Sequence, residues 1–159
     1  MFLLQKKILV VLASTSVAIA VAAGTASAAL SPTETGLLRA VNRTRLAHGL
    51  RPLRLDPRLE RAAREHSRSM LRGDYFAHGD FGRRMLAVHA PGVVRGEDLA
   101  WGSGSLGTPG ALVRAWLHSP PHRRNLLRPG FRRIGIGALR GTFLGYGDTT
   151  VVTADFAGS

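Results

Sequence analysis

The sequence predicts an α+β domain, helices packed on a small antiparallel sheet. Three observations predict it. Helical periodicity fills the first half of the chain, each helix with its own start signal; alternating and β-branched residues fill the tail; and no strand-helix-strand repeat joins the two halves. Helices first and strands last favour an antiparallel sheet over a doubly wound one.

The first 28 residues stand apart from that domain. Lys6 and Lys7 precede an apolar run from Ile8 to Ala23, and Ala26-Ser27-Ala28 follows as a small-x-small triplet. This is the layout of a secretory signal peptide cut near Ala28, giving residues 1–28 as leader and 29–159 as one domain. The competing reading is a retained anchor, since about 16 apolar residues approach a membrane span. Both lysines fall in the leader, so the remaining chain carries 20 arginines against 10 acids. Such an excess predicts attraction to anionic envelope polymers or lipid. Its scatter along the chain, without aromatic interleaving, argues against a nucleic-acid module. Cysteine is absent, so stability has to come from packing, and a domain of this size supports a sizeable core. No later run is long and apolar enough to cross a membrane, and a soluble monomer is expected.

Ser31-Pro32-Thr33-Glu34 is a capping box with proline at the first helical position. The helix it opens carries Leu37, Leu38, Val41 and Ala47 near one face and stops at Gly49. Asn42-Arg43-Thr44 matches a glycosylation sequon, but a helix interior is a poor acceptor. Asp56-Pro57 starts a second helix, in which Leu59, Ala62, Ala63, His66 and Met70 keep the stripe until Gly73. His66 on that stripe reads as a core histidine bonded to a neighbour.

Tyr75-Phe76-Ala77-His78 leads into glycine-punctuated sequence, and Val93 to Trp101 reads as an extended segment. Gly102 to Gly107 satisfies G-x-G-x-x-G, yet no strand-helix-strand unit surrounds it and no acid lies about 20 residues on, so it reads as a flexible loop. Thr108-Pro109 caps a helix with Leu112, Ala115, Trp116 and Ser119 on one face. Ser119-Pro120 ends that helix and starts another, with Ser119 as cap and His122 in its first turn. Three short strands are expected last, at 134–138, 142–146 and 149–156, with turns at Arg140-Gly141 and Gly147-Asp148.

Taken in order, the stretches NRTRLAHGLRPLRLDPRLERAAREHSRSM, GDYFAH, GEDLAWG, AWLHSPPHRRNLL, FRRIGIGAL and VTADFAG resemble the bacterial branch of the CAP superfamily, the domain of cysteine-rich secretory proteins, antigen 5 and pathogenesis-related protein 1. The resemblance runs from about Leu37 to Gly158. It implies an α-β-α sandwich with a surface cleft. It also implies cleft roles for His78, ending GDYFAH, for Glu97, in place of the glutamate of G-E-N, and for His122, in place of the histidine of S-P-G-H-R-x-N. Two positions depart from the family pattern: Asp98 stands for asparagine and Pro121 for glycine. The eukaryotic branch's second cleft glutamate and its G-H-Y-T-Q histidine have no counterparts.

Were the fold to bring His78, Glu97 and His122 together, two imidazoles and a carboxylate would suit zinc or another divalent cation. A helix N-terminus at His122 would keep that ring neutral. His118 and His122 do not form a helical metal pair, because Pro120 and Pro121 interrupt them and position 119 is serine; His118 reads as a helix-end residue. The family implies an exported binding module for a lipid, glycan or wall fragment. The alternative is a hydrolase of proteins or cell-wall peptides using His78, Glu97 and His122, with no G-x-S-x-G elbow to suggest a serine nucleophile. Tyr75, Phe76, Trp101 and Trp116 are candidate cleft walls, Trp116 fitting the core equally well.

Overall fold

The computed structural model describes residues 29–159; the leader expected over residues 1–28 lies outside them. Five helices, α1 (Pro32–Ala47), α2 (Pro57–Gly73), α3 (Phe81–Ala87), α4 (Pro109–His118) and α5 (Pro120–Leu126), pack on four strands, β1 (Arg54–Leu55), β2 (Val94–Ser103), β3 (Phe131–Phe143) and β4 (Tyr146–Gly158). The strand order is β1-β3-β4-β2. The three long strands run antiparallel, and two-residue β1 adds a parallel edge to β3. Among the described residues no helix is long and apolar enough to cross a membrane.

The capping box forms as expected: Ser31 Oγ accepts from the Glu34 amide, and the Glu34 carboxylate accepts from the Ser31 amide. Glu34 also takes Arg64 from α2, tying the first two helices together. Asn42, the sequon residue, is bonded through both side-chain ends to the backbone of Leu53.

The alternation of β4 divides the core. Val152, Ala154 and Phe156 meet α1, α4 and α5 together with Ile134 and Ile136, around buried Trp116. On the other face, Val151 and Ala157 pack with Met70 and Leu59 of α2. The IGIG run of β3 follows from this two-sided packing. Its isoleucines fill one face, and on the other α2 lies directly on the strand: a Cβ at Gly135 would sit 2.0 Å from the carbonyl carbon of Leu59, and one at Gly137 2.4 Å from that of Ala63. Leu59 and Ala63 are one helical turn apart, so the two glycines seat successive turns. Gly135→Ala is therefore expected to cost about 3 kcal/mol in urea unfolding, whereas Gly147→Ala, with open space around it, stays within about 0.5 kcal/mol.

The tail differs from the expected three-stranded meander. Arg140-Gly141 and Gly147-Asp148 lie inside two long strands, and the hairpin turns at Leu144-Gly145, both at positive φ (49° and 81°), as a two-residue primed turn requires. Leucine is seldom found there, which is why the turn is not legible. Phe81–Ala87 is a helix where glycine-punctuated coil was expected, capped by Asp80, whose side chain accepts from the Arg83 amide. Gly102 lies within β2 and Gly104–Gly107 is a 3-10 turn rather than an open loop. The antiparallel pairing of β2 with β4 rules out a βαβ dinucleotide unit. Ala115, expected on the buried face of α4, is exposed.

Candidate functional site

The site forms at β2, an edge strand, around which side chains from both faces of the sheet can meet. Glu97 points to the α2 face and is almost wholly buried, its side chain 2% exposed. His78, from the loop after α2, places Nδ1 2.7 Å from Glu97 Oε1 and leaves just over half its side chain in solvent (55%). The other oxygen, Oε2, accepts from Nη2 of Arg84 on α3. Arg84 also donates to the carbonyl of His78 at 2.7 Å, so one guanidinium fixes both members of the pair.

Behind them stands His66. It is buried as expected and bonded at Nε2 to the Ala77 carbonyl (3.0 Å), and Nε2 lies 4.0 Å from Glu97 Oε2, which makes it part of the cluster rather than plain core. Burial, then the nearby Arg84, holds its pKa below the ordinary histidine value, so the ring is neutral at neutral pH and its N–H can be given to Ala77.

Asp155 on β4 lies directly opposite Glu97 in the antiparallel register. It is fully buried, and neither of its oxygens has a hydrogen-bond partner while the group is ionised. Burial, and then the adjacent Glu97 charge, raises its pKa well above the usual carboxylate range. A neutral acid here, facing Glu97 across the strands, has a hydrogen to offer that carboxylate, which would supply the missing partner.

The other side of β2 belongs to α5. Asn125 donates to the Glu97 carbonyl (3.2 Å) and to Asp98 Oδ1 (2.9 Å), pinning α5 to the strand at the site. His122 lies three residues earlier on the same helix, so this grip also positions its ring. His122 Nδ1 is 2.8 Å from Ser119 Oγ. Ser119 occupies the N-cap position but makes no side-chain cap bond, so its hydroxyl serves the imidazole instead. The His122 pKa is lowered first by burial and then by His78, whose ring lies near enough to act on it. Both effects favour the neutral ring.

The structure thus bonds His78 to Glu97 and places His122 near enough to His78 for the two rings to interact electrostatically. Among the described residues no three His, Asp or Glu side chains are grouped to hold a metal ion. Both oxygens of Glu97 are engaged, by His78 and Arg84, so His78, Glu97 and His122 as arranged do not fit a three-ligand cation site. His118 ends α4 as expected, exposed and bonded to the Arg114 carbonyl. Trp116 is core, its Nε1 donating to the Leu99 carbonyl. Phe76 and Trp101 instead join Phe143 and Tyr146 in a chain of ring contacts with centroids 5.5 to 6.4 Å apart. Phe76 and Tyr146 are exposed.

Comparison with known proteins agrees with this fold. The sequence model described as "CAP: Cysteine-rich secretory protein family" matches residues 38–156. The chain belongs to this family. It is 33% identical over 117 residues to the uncharacterized protein YkwD of Bacillus subtilis, a match covering 70% of this chain and 44% of YkwD, so the chain spans less than half of that relative. Among solved structures, an extracellular SCP-domain protein of Bacillus anthracis is similar at a TM-score of 0.61 and 25% identity, covering 84% of this chain and 45% of that one. An outer surface protein of Borrelia burgdorferi is similar at a TM-score of 0.64 and 24% identity, covering 81% and 97%. The CAP assignment accords with the α-β-α sandwich described above.

Proposed function

We propose that this CAP domain is an exported binding module, its N-terminal 28 residues a leader, whose cleft takes a polar group of an extracellular ligand between the imidazoles of His78 and His122. The observation that carries this reading is that Glu97 spends both oxygens on His78 and Arg84. A carboxylate so committed orients an imidazole; it is not free to take a proton from water or substrate. Nδ1 of each histidine faces a fixed partner, so Nε2 is the atom each ring has left for a ligand. The exposed ring of Phe76, two residues before His78, suits the sugar or peptide part of a wall fragment. The same commitment of Glu97 weakens the hydrolase alternative.

Calorimetric titration with soluble wall fragments tests the reading. His78→Ala and His122→Ala are each expected to weaken binding at least about tenfold, the loss of one hydrogen bond to a polar group. Unchanged affinity in both variants would refute the site. Zinc as second titrant reads the cation question: two imidazoles without Glu97 predict weak binding lost in both variants, and equal heats in all three proteins end the metal reading.

A further inference from the structure

Away from the cleft, at the opposite edge of the sheet, Arg51, Pro52, Arg54, Arg132 and Arg133 enclose a hollow of about 400 Å³. We propose that this hollow is a binding site for a phosphate-bearing ligand. Strand pairing creates it by setting Arg54 of β1 opposite Arg133 of β3 in register, a like-charge pair that disfavours the strand contact unless an anion lies between. The irregularity of β3 between Phe131 and Arg133 brings consecutive Arg132 and Arg133 to one hollow, where a regular strand would send them to opposite faces.

No acid among the described residues lines the hollow. Among the described residues the arginines in ion pairs are Arg58, Arg64, Arg68, Arg84 and Arg140, none of them in the hollow. Arg132 is steered by backbone alone, donating to the carbonyls of Pro129 and Phe131. A fifth guanidinium, fully buried Arg45, lies alongside, donating to the carbonyls of Arg51, Leu126 and Arg128 and likewise without a carboxylate. Its pKa is lowered by burial and then by Arg132, as expected of cations crowded without a counter-ion.

The ligand class follows from the lining. One carboxylate would neutralise one of four guanidinium groups, whereas phosphate and its oligomers carry several charges and accept the paired N–H bonds that arginine offers. No aromatic ring lines the hollow, so nothing selects a nucleobase, and the volume admits a di- or triphosphate or a phosphodiester unit rather than a bare ion.

Titration of the whole chain with tripolyphosphate at low salt tests the site. Arg54→Gln with Arg133→Gln is expected to weaken binding at least about tenfold. Arg39→Gln with Arg43→Gln removes the same charge from exposed positions on α1 and is expected to change it less than about threefold, as general attraction would. Arg51→Gln with Arg132→Gln repeats the test while sparing the facing pair between strands, in case the first variant unfolds. Vesicles of phosphatidylglycerol, against phosphatidylcholine, separate a lipid headgroup from a free phosphate: vesicle binding lost with the hollow supports the same site. Absence of tripolyphosphate binding, or equal weakening in hollow and α1 variants, overturns the proposal.

Discussion

Glu97→Ala is expected to destabilise the domain by about 3 kcal/mol, towards the lower end of what breaking a buried ion pair costs because Arg84 keeps a fifth of its side-chain surface in water. The loss has three parts. Arg84 is left mostly buried without its counter-charge, His78 loses the bond that aims its ring, and Asp155 loses the carboxylate it faces. Denaturant unfolding of wild type, Glu97→Ala, Arg84→Met and the double variant measures the first part directly. Once Arg84 is apolar, deleting the carboxylate no longer strands a cation, so Glu97→Ala should cost distinctly less in that background. Strict additivity would show that the ion pair contributes nothing and that Glu97 matters to the fold only through packing, His78 and Asp155. A fall in ligand affinity for Glu97→Ala in conditions where it stays folded would then report the aiming of His78 alone.

Much of the fold is legible because local chemistry states it. Ser31 to Glu34, Asp56-Pro57, Thr108-Pro109 and Ser119-Pro120 each start a helix where caps and first-turn prolines say one should start. What fails is what tertiary contact decides. Gly141 looks like a turn residue, yet it stays in β3 because Leu71 of α2 packs there; the real turn uses a leucine at positive φ, which no propensity suggests. The short helix α3 lacks an apolar stripe long enough to see, and with it Arg84 is missed, although it sets the geometry of both Glu97 and His78. Asp155 is missed for a related reason. In VTADFAG it looks like a polar break at the end of a strand, and only the register of β2 on β4 reveals that it faces Glu97. The trio His78, Glu97 and His122 comes from family resemblance, because spacings of 19 and 25 residues carry no local signal. Spacing on α5 did hold one clue: Asn125, three residues after His122, had to share its face.

Asp98→Asn, which restores the family's usual residue, is expected to stabilise the protein by up to about 4 kcal/mol above pH 7 and to leave it nearly unchanged near pH 4. Asp98 is fully buried, with Asn125 on Oδ1 and no partner for Oδ2. Burial pushes its pKa up to about 7; the Asn125 bond opposes this and the charge of Glu97 adds to it. The folded carboxyl therefore holds its proton more tightly than the open chain does, and protons favour the fold. That contribution is complete below about pH 4, is lost progressively as pH rises towards 7, and is gone above it. Asparagine has no charge to bury, so the stability difference between variant and wild type should open across the same window and then level off. Other carboxylates run the opposite way: Glu34 and Asp56, with pKa values lowered despite burial by their arginine partners, favour the fold as pH rises, but they are common to both proteins and cancel in the difference. Paired urea titrations at pH 4, 5.5, 7 and 8 measure the curve. A flat difference would mean that Asp98 titrates in the fold as it does unfolded, which its burial and its unpartnered oxygen argue against. Because Asp98 is the point at which Asn125 holds α5, amide exchange in α5 should slow in the variant at pH 8 and match wild type at pH 4, tying the charge of one buried carboxylate to the hold on the helix that carries His122.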